Sequence, residues 1–271
     1  MKLKVLYIAQ EIIPYMPDTK MSNMCRFLPQ GIQDKKKEIR TFLPKFGNIN
    51  ERRNQLHEVI RLSGMNIVIN NVDYPLLIKV ASVQTARMQF YFIDNDILFN
   101  RKYQFADEEK EFADNDDRAI FFTYGVIETI KKLNWKPDII HCHGWFTGLI
   151  PFYLKKIYNE EPLFADKPKI IYSVYDDQFK VALNKNLKQK IASNKTKEGD
   201  FSLIKEPTWE NLTKFAIQNS NATVFTEDHL AEQFKEFAKQ EKKPYLHHVD
   251  MESYVDKYNE FYDKVNENQY L

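Results

Sequence analysis

At 271 residues, 43% hydrophobic and 28% charged, the chain holds enough apolar material for a folded core and does not read as a disordered polymer. Lys and Arg total 39 against 38 Asp and Glu, and the formal charge of +1 gives no bulk field for nucleic acid or an anionic membrane. Two cysteines, Cys25 and Cys142, exclude a disulfide scaffold, and seven glycines leave little material for a phosphate-cradling loop.

Lys4–Ala9 reads as a buried parallel strand, followed at once by Gln10 and Glu11, too short an apolar run for a signal segment. Met24, Phe27, Leu28 and Ile32 predict a helix over Ser22–Lys36 with Ser22 as N-cap, and Ile39–Leu43 predicts a strand stopped by Pro44. Together these make a βαβ unit. Residues 57–94 change character, with strand candidates at His57–Leu62, Met65–Asn70, Leu76–Val83 and Met88–Ile93 and a hairpin turn at Gly64. This is read as a β-insertion on the same domain. From Asp114 the alternation resumes: a helix through Ile120–Ile130, a strand at Asp138–Cys142, a helix at Phe146–Ile157 and a strand at Lys169–Val174. Thr208–Gln218, Ala222–Phe225 and His229–Ala238 repeat helix, strand, helix.

The pattern predicts an α/β fold: a single Rossmann-like, doubly wound, mostly parallel sheet over 1–245, with ligands beyond the C-terminal strand ends. The functional question therefore falls on Gln10–Lys20, His143–Thr147, Tyr175–Gln178 and Thr226–Asp228. The segment 176–206 is the least regular; between Gln178 and Lys197 it carries six lysines and no acid, which suits either an anion patch or a solvated, mobile surface. Residues 246–271 form a terminal helix whose stripe of Tyr254, Tyr258, Phe261, Tyr262 and Val265 docks on its own domain or pairs two copies as a homodimer. The longest apolar stretch, Trp145–Leu154, is shorter than the ~20 residues of a membrane helix. A cytoplasmic protein without nucleic-acid or membrane partners is expected.

The stretches MKLKVLYIAQEIIPY, FLPQGI and RTFLPKFGNI resemble the opening of bacterial glycogen synthases and plant starch synthases. That family begins with a strand, S-E-x-x-P-[FLY], a K-T-G-G-L loop, a helix ending in Leu-Pro, and V-[IL]-L-P-x-[YF]. YFIDNDILFNR, DNDDRAIFF, DIIHCHGWFTGLIPFYL and NLTKFAIQNSNATVFT resemble its later motifs in the same order, to about Ala238. The resemblance implies the acceptor-side half of a GT-B glycosyltransferase, in which ADP-glucose lies between two Rossmann-like halves and an α-1,4-glucan receives glucose with retention.

Laid on the family pattern, the loop lysine falls on Pro17, the threonine on Asp18 and the glycines on Thr19 and Lys20. Pro17 brings neither charge nor N–H to a diphosphate, and Asp18 repels one. The family's H-x-H-D-W-H reads His141-Cys142-His143-Gly144-Trp145-Phe146, so its aspartate is Gly144 and its last histidine Phe146. The reacting-centre histidine of T-[IV]-H-N is Tyr175, whose phenol titrates near ~10. The V-S-P turn carries Glu227 and Asp228. No catalytic set is intact, with Pro17, Gly144 and Tyr175 the degenerate positions; Glu11, Lys20, His143, Trp145, Thr147, Tyr175 and Asp176 remain as ligand-facing candidates.

His141 and His143 share a strand face and could suit a metal, but no third ligand lies near; they are read as scaffold, as His247–His248 is read as a surface pair. Cys25 and Cys142 are read as packed thiols, and Arg118 as pairing a carboxylate of its own domain. Neither cofactor nor metal is expected. No N-G-[IVL]-D linker is visible near His247–Tyr254, so the nucleotide-binding half is expected to be absent. The expected function is a non-catalytic, pseudoenzyme module that binds α-glucan or a protein; the alternative is an acceptor half of a glucosyltransferase completed by a second chain. The strand-end cleft is expected to be partly filled by Tyr175, Phe146 and the terminal helix.

Overall fold

The structure, a computed structural model, describes residues 2–247, 249 and 252–269. Its strands are β1 (Lys4–Ala9), β2 (Glu38–Pro44), β3 (His57–Glu58), β4 (Met65–Ile69), β5 (Val72–Val83), β6 (Met88–Asp94), β7 (Ile139–His143), β8 (Lys169–Val174), β9 (Ala222–Phe225) and β10 (Tyr245–Leu246). They form one sheet in the order β10-β9-β8-β7-β1-β2-β6-β5-β3, with β4 added to β5. The run from β10 to β6 is parallel; β5, β3 and β4 join antiparallel. The α/β, mostly parallel architecture expected from the sequence is the one observed.

β1 lies at the centre, and Val5 to Ala9 are buried on both faces, which is why the strand is continuously apolar. Its alternate side chains divide the core. Leu6 and Ile8 join the cluster shared with the helices Asn115–Leu133 and Trp209–Asn219, whereas Val5 and Tyr7 pack under the helices Lys20–Asp34 and Tyr254–Asn266. Of the terminal stripe, Tyr258, Phe261, Tyr262 and Val265 are buried against the chain's own sheet.

Several local readings are corrected. Thr19, not Ser22, caps the first helix: its hydroxyl accepts from the Ser22 N–H, and Ser22 Oγ accepts from the Thr19 N–H, a capping box that starts the helix two residues early. The strand expected at His57–Leu62 stops at Glu58, because the Leu62 and Ser63 N–H groups turn back onto the Val59 carbonyl. Gly64 makes no hairpin; β4 and β5 turn at Asn70-Asn71, both at positive φ (50° and 60°), as a two-residue hairpin with the right-handed twist requires. The helix expected at Phe146–Ile157 is broken into a 3-10 turn (Trp145–Thr147), one α-turn (Ile150–Phe152) and a π-turn (Tyr153–Ile157). Pro151 contributes no N–H there, and the Tyr158 N–H reaches back five residues to the Tyr153 carbonyl.

The Lys-rich segment is not a free patch. Lys190, 5% exposed at its side chain, pairs with Asp116 at 2.6 Å and Asp117 at 2.8 Å in the first turn of the helix Asn115–Leu133, and Lys195 pairs with Glu160 at 2.9 Å. Among the described residues Arg118 pairs with no carboxylate: it donates to the Leu98 carbonyl and the Asn115 amide oxygen, 2.7 Å each, among the rings of Phe46, Phe99, Phe105 and Phe112. Asp114 is instead paired by Arg101. Both cysteines are buried and free. No helix among the described residues is long and apolar enough to cross a membrane.

Candidate functional site at the strand ends

The chain leaves β1 toward β2 on one side and returns to β7 on the other, so the order reverses between β1 and β7. In open α/β sheets the crevice beyond that reversal is where ligands bind. Here it is occupied by the protein itself. Gln10, 4% exposed, donates its backbone N–H to the His143 carbonyl at 3.4 Å, and its Oε1 accepts from the Phe146 N–H at 3.1 Å. Asp177 Oδ2 accepts from the Trp145 N–H at 2.8 Å and Oδ1 from the Trp209 indole at 3.0 Å. Between them lies Gly144 at φ +84°, ψ 162°; a Cβ there would stand 2.5 Å from Gln10 Oε1 and 2.9 Å from Asp177 Oδ2. A side chain at the position that carries an aspartate in the family motif would have to displace the ends of Gln10 and Asp177 and adopt a φ that L residues rarely take.

Beneath the crevice is a buried polar stack. The His141 and His143 rings are 3.9 Å apart by centroid, on one strand face as their spacing predicts. His141 Nδ1 meets Tyr262 Oη at 2.6 Å and Nε2 meets Ser173 Oγ at 2.7 Å; His143 Nδ1 meets Tyr175 Oη at 3.0 Å. Burial pushes His143 down to about 3, and burial with the neighbouring His143 holds His141 well below the usual histidine range. Both rings are neutral near pH 7. Burial pushes the Tyr175 phenol well up, so it acts as a neutral hydrogen-bonding group. Among the described residues no three His, Cys, Asp or Glu side chains converge to hold a metal ion.

The rim above is acidic and self-paired. Lys20 Nζ donates to the Thr226 carbonyl at 3.0 Å and lies 3.5 Å from Glu227. Glu227 and Asp176 flank His229 at 3.9 Å and 3.5 Å. Glu11 accepts from the Thr19 hydroxyl, and burial raises its carboxyl. Burial likewise pushes Asp177 up to about 7, against the pull of its two N–H donors. A diphosphate placed here would meet four carboxylates and a cation already engaged.

Of the residues expected to face a ligand, only Glu11, Lys20 and Asp176 reach the surface. His143, Trp145, Thr147 and Tyr175 are buried; His143 Nδ1 meets Tyr175 Oη, Thr147 Oγ1 donates to the Gly144 carbonyl at 2.8 Å, and His143 Nε2 has no hydrogen-bond partner among the described residues. Tyr175 lies at the histidine stack, the Phe146 ring packs among Phe46, Phe99, Phe105 and Phe122, and the terminal helix reaches the histidine stack through Tyr262. Exposed Pro17 brings no charge; its carbonyl accepts from Ser22 Oγ at 2.8 Å. Gln10 and Asp177 fall inside the strand-end segments flagged from sequence but were not named as ligand-facing residues, and Trp209 lay outside those segments. Gln10 also gave a motif signal, standing where the S-E-x-x-P pattern has its serine. His247 lies 3.4 Å from Asp228; His248 is outside the described residues.

The sequence profile of the starch synthase catalytic domain matches residues 4–257. The glycogen synthase of Chlorobium limicola is 34% identical over 204 residues, which is 73% of this chain and 42% of that protein. That of Chlorobium luteolum is 36% identical over 163 residues, 59% of this chain and 33% of that protein. The catalytic domain of starch synthase IV from Arabidopsis thaliana, bound to ADP and acarbose, has the same fold, with a TM-score of 0.73 at 19% identity over 94% of this chain and 53% of that one. The chain thus spans under half the length of the curated relatives it matches. By fold and by sequence, it belongs to the starch synthase catalytic-domain family and is homologous to the N-terminal half of glycogen and starch synthases.

Proposed function

We propose that this domain is a non-catalytic member of its family, a module that binds α-glucan or a protein instead of transferring glucose from a nucleotide sugar. One observation carries the reading: the crevice at the strand-order reversal holds the Gln10 and Asp177 side chains, which close on a positive-φ glycine where a Cβ would displace them. Nucleotide-sugar transfer needs charge and N–H groups directed at the departing diphosphate, and each such group removed costs ~10²–10³ in rate. Here Pro17 replaces the loop cation, Lys20 is tied to Thr226 and Glu227, and the nearby groups are carboxylates. Tyr175 stands where the motif has its histidine and is bonded to His143, away from solvent.

Calorimetry on the chain with ADP-glucose, ADP and a linear maltooligosaccharide tests this. Heat from the oligosaccharide and none from either nucleotide is the expected result. Micromolar binding of ADP or ADP-glucose overturns the reading, and glucosyl transfer that appears only on adding a second protein replaces it with an acceptor half completed in trans.

A further inference from the structure

At the opposite end of the sheet, beneath the first residues of β8 and β9, lies a cavity of about 430 Å³. Four lysines line it: Lys155 from the π-turn, Lys167 from the approach to β8, Lys169 at its first position, and Lys243 from the turn before β10. Phe164 and Asn221 contribute an apolar and an amide wall, and no carboxylate is among the lining side chains. A second cavity of about 200 Å³ shares Lys169, Asn221 and Lys243 and adds Lys242.

Two lysines on neighbouring segments find carboxylates: Lys156 meets Asp200 at 2.6 Å and Lys131 meets Glu161 at 3.0 Å. Among the described residues none of the four cavity lysines does. Lys155 donates to the Gln218 carbonyl at 3.2 Å and Lys169 to Asn268 Oδ1 at 2.6 Å, both neutral acceptors. Glu241, the carboxylate felt by both Lys155 and Lys243, accepts from Gln218 Nε2 at 3.3 Å. Burial, joined by repulsion from Lys156, lowers Lys155; burial, joined by repulsion from Lys155, lowers Lys243. Lys155 is exposed and Lys243 partly buried, and the repulsion that Lys243 feels from Lys155 beside this concave space is a cost that a bound anion would turn into attraction. The space exceeds a lone phosphate and falls in the range of small-ligand pockets.

We propose that this cavity binds a small phosphorylated metabolite, its phosphate held between Lys155 and Lys243 and its uncharged part lying over Phe164 toward Asn221. Lysine serves phosphate as a point charge, so recognition is of charge and size. The site lies at the far end of the sheet from the filled crevice and does not depend on the reading of that crevice.

The test is calorimetry at fixed ionic strength with ribose 5-phosphate, inorganic phosphate and ribose as probes, on the wild type, K155Q/K243Q and the surface control K180Q. Ribose 5-phosphate is expected to bind with a Kd of ~1 mM or tighter and ribose not at all. K155Q/K243Q is expected to weaken binding at least ~10-fold while K180Q does not, about the loss of one charge-assisted contact. Without ligand the double variant is expected to melt no lower than the wild type, since two repelling charges are gone; if it melts lower, K243Q alone replaces it. Absent saturable binding, or equal affinity in the double variant, overturns the site. Inorganic phosphate binding as tightly as the ester overturns the ester assignment.

Discussion

Residue 144 exchanges volume with residue 10. The family motifs pair a small serine with a larger aspartate; this chain has the larger Gln10 beside Gly144, and the Gln10 amide occupies the space beside the glycine. The backbone at Gly144 lies in a region open essentially only to glycine. Gly144→Asp is therefore expected to destabilise by about 3 kcal/mol in urea unfolding, from strain and overlap together. Gln10→Ser added to it should recover only the part due to overlap. Asp177 supplies a second test. Its carboxyl is raised to about 7 in the folded chain and titrates near ~3.9 when unfolded, so between those values the folded state holds the extra proton. That favours folding on acidification and is lost as pH rises through 7. Asp177→Asn lacks this titration, so its deficit relative to wild type should grow by about 1.4 kcal/mol per unit as pH falls from 7 toward 4. Urea midpoints across that range check it. The sequence showed which polar residues were altered, because the flanking packing residues align; what filled their space was hidden, since Asp177 and Trp209 meet Gly144 only through the fold.

Among the elements, the terminal helix was legible in kind but not in purpose. Its stripe gave the helix and the buried residues, yet nothing in a linear pattern linked Tyr262 to His141, 121 residues away. Tyr262→Phe leaves the buried His141 Nδ1 without its partner and is expected to cost about 1–3 kcal/mol. Because burial depresses both histidines, the ring C–H signals of His141 and His143 should not shift between pH 8 and pH 5 in NMR spectra. A titration midpoint inside that interval would contradict the packed stack. The Lys-rich segment teaches the converse: its charge run suggested a solvated surface, but Lys190 reaches the buried carboxylates at the head of a neighbouring helix. Removing one partner of a buried pair leaves the other charge stranded, so Lys190→Gln is expected to cost on the order of 3 kcal/mol by thermal or urea unfolding. An exposed lysine such as Lys180 should change little.

For the whole molecule, the strand order followed from alternating apolar runs and crossovers, whereas the broken helix after β7 depended on Pro151 within a tightly packed turn. The two faces of the sheet are covered unequally along the chain. Tyr258, Phe261, Tyr262 and Val265 each contribute ~1.5–3 kcal/mol when buried, a sum of about 6–12 kcal/mol. That is comparable with the ~5–15 kcal/mol of a typical domain. Ending the chain at Leu246 is accordingly expected to give a species that binds a hydrophobic dye and lacks a cooperative melt, and adding a peptide of residues 252–269 should restore the melt. The close contact of Gly31 with Val255, where a Cβ would lie 2.6 Å from Val255 Cγ2, lets this helix sit directly on the first one. A consequence follows for synthesis in the cell. β1 leaves the ribosome well ahead of its neighbour β7, which comes more than a hundred residues later, and of its cover, which comes later still. At ~5–20 residues per second the apolar centre of the sheet waits roughly 10–50 s for its last layer. During that interval the nascent chain presents Val5 and Tyr7 to whatever else is near, and chaperone demand should fall sharply once the terminal helix has emerged.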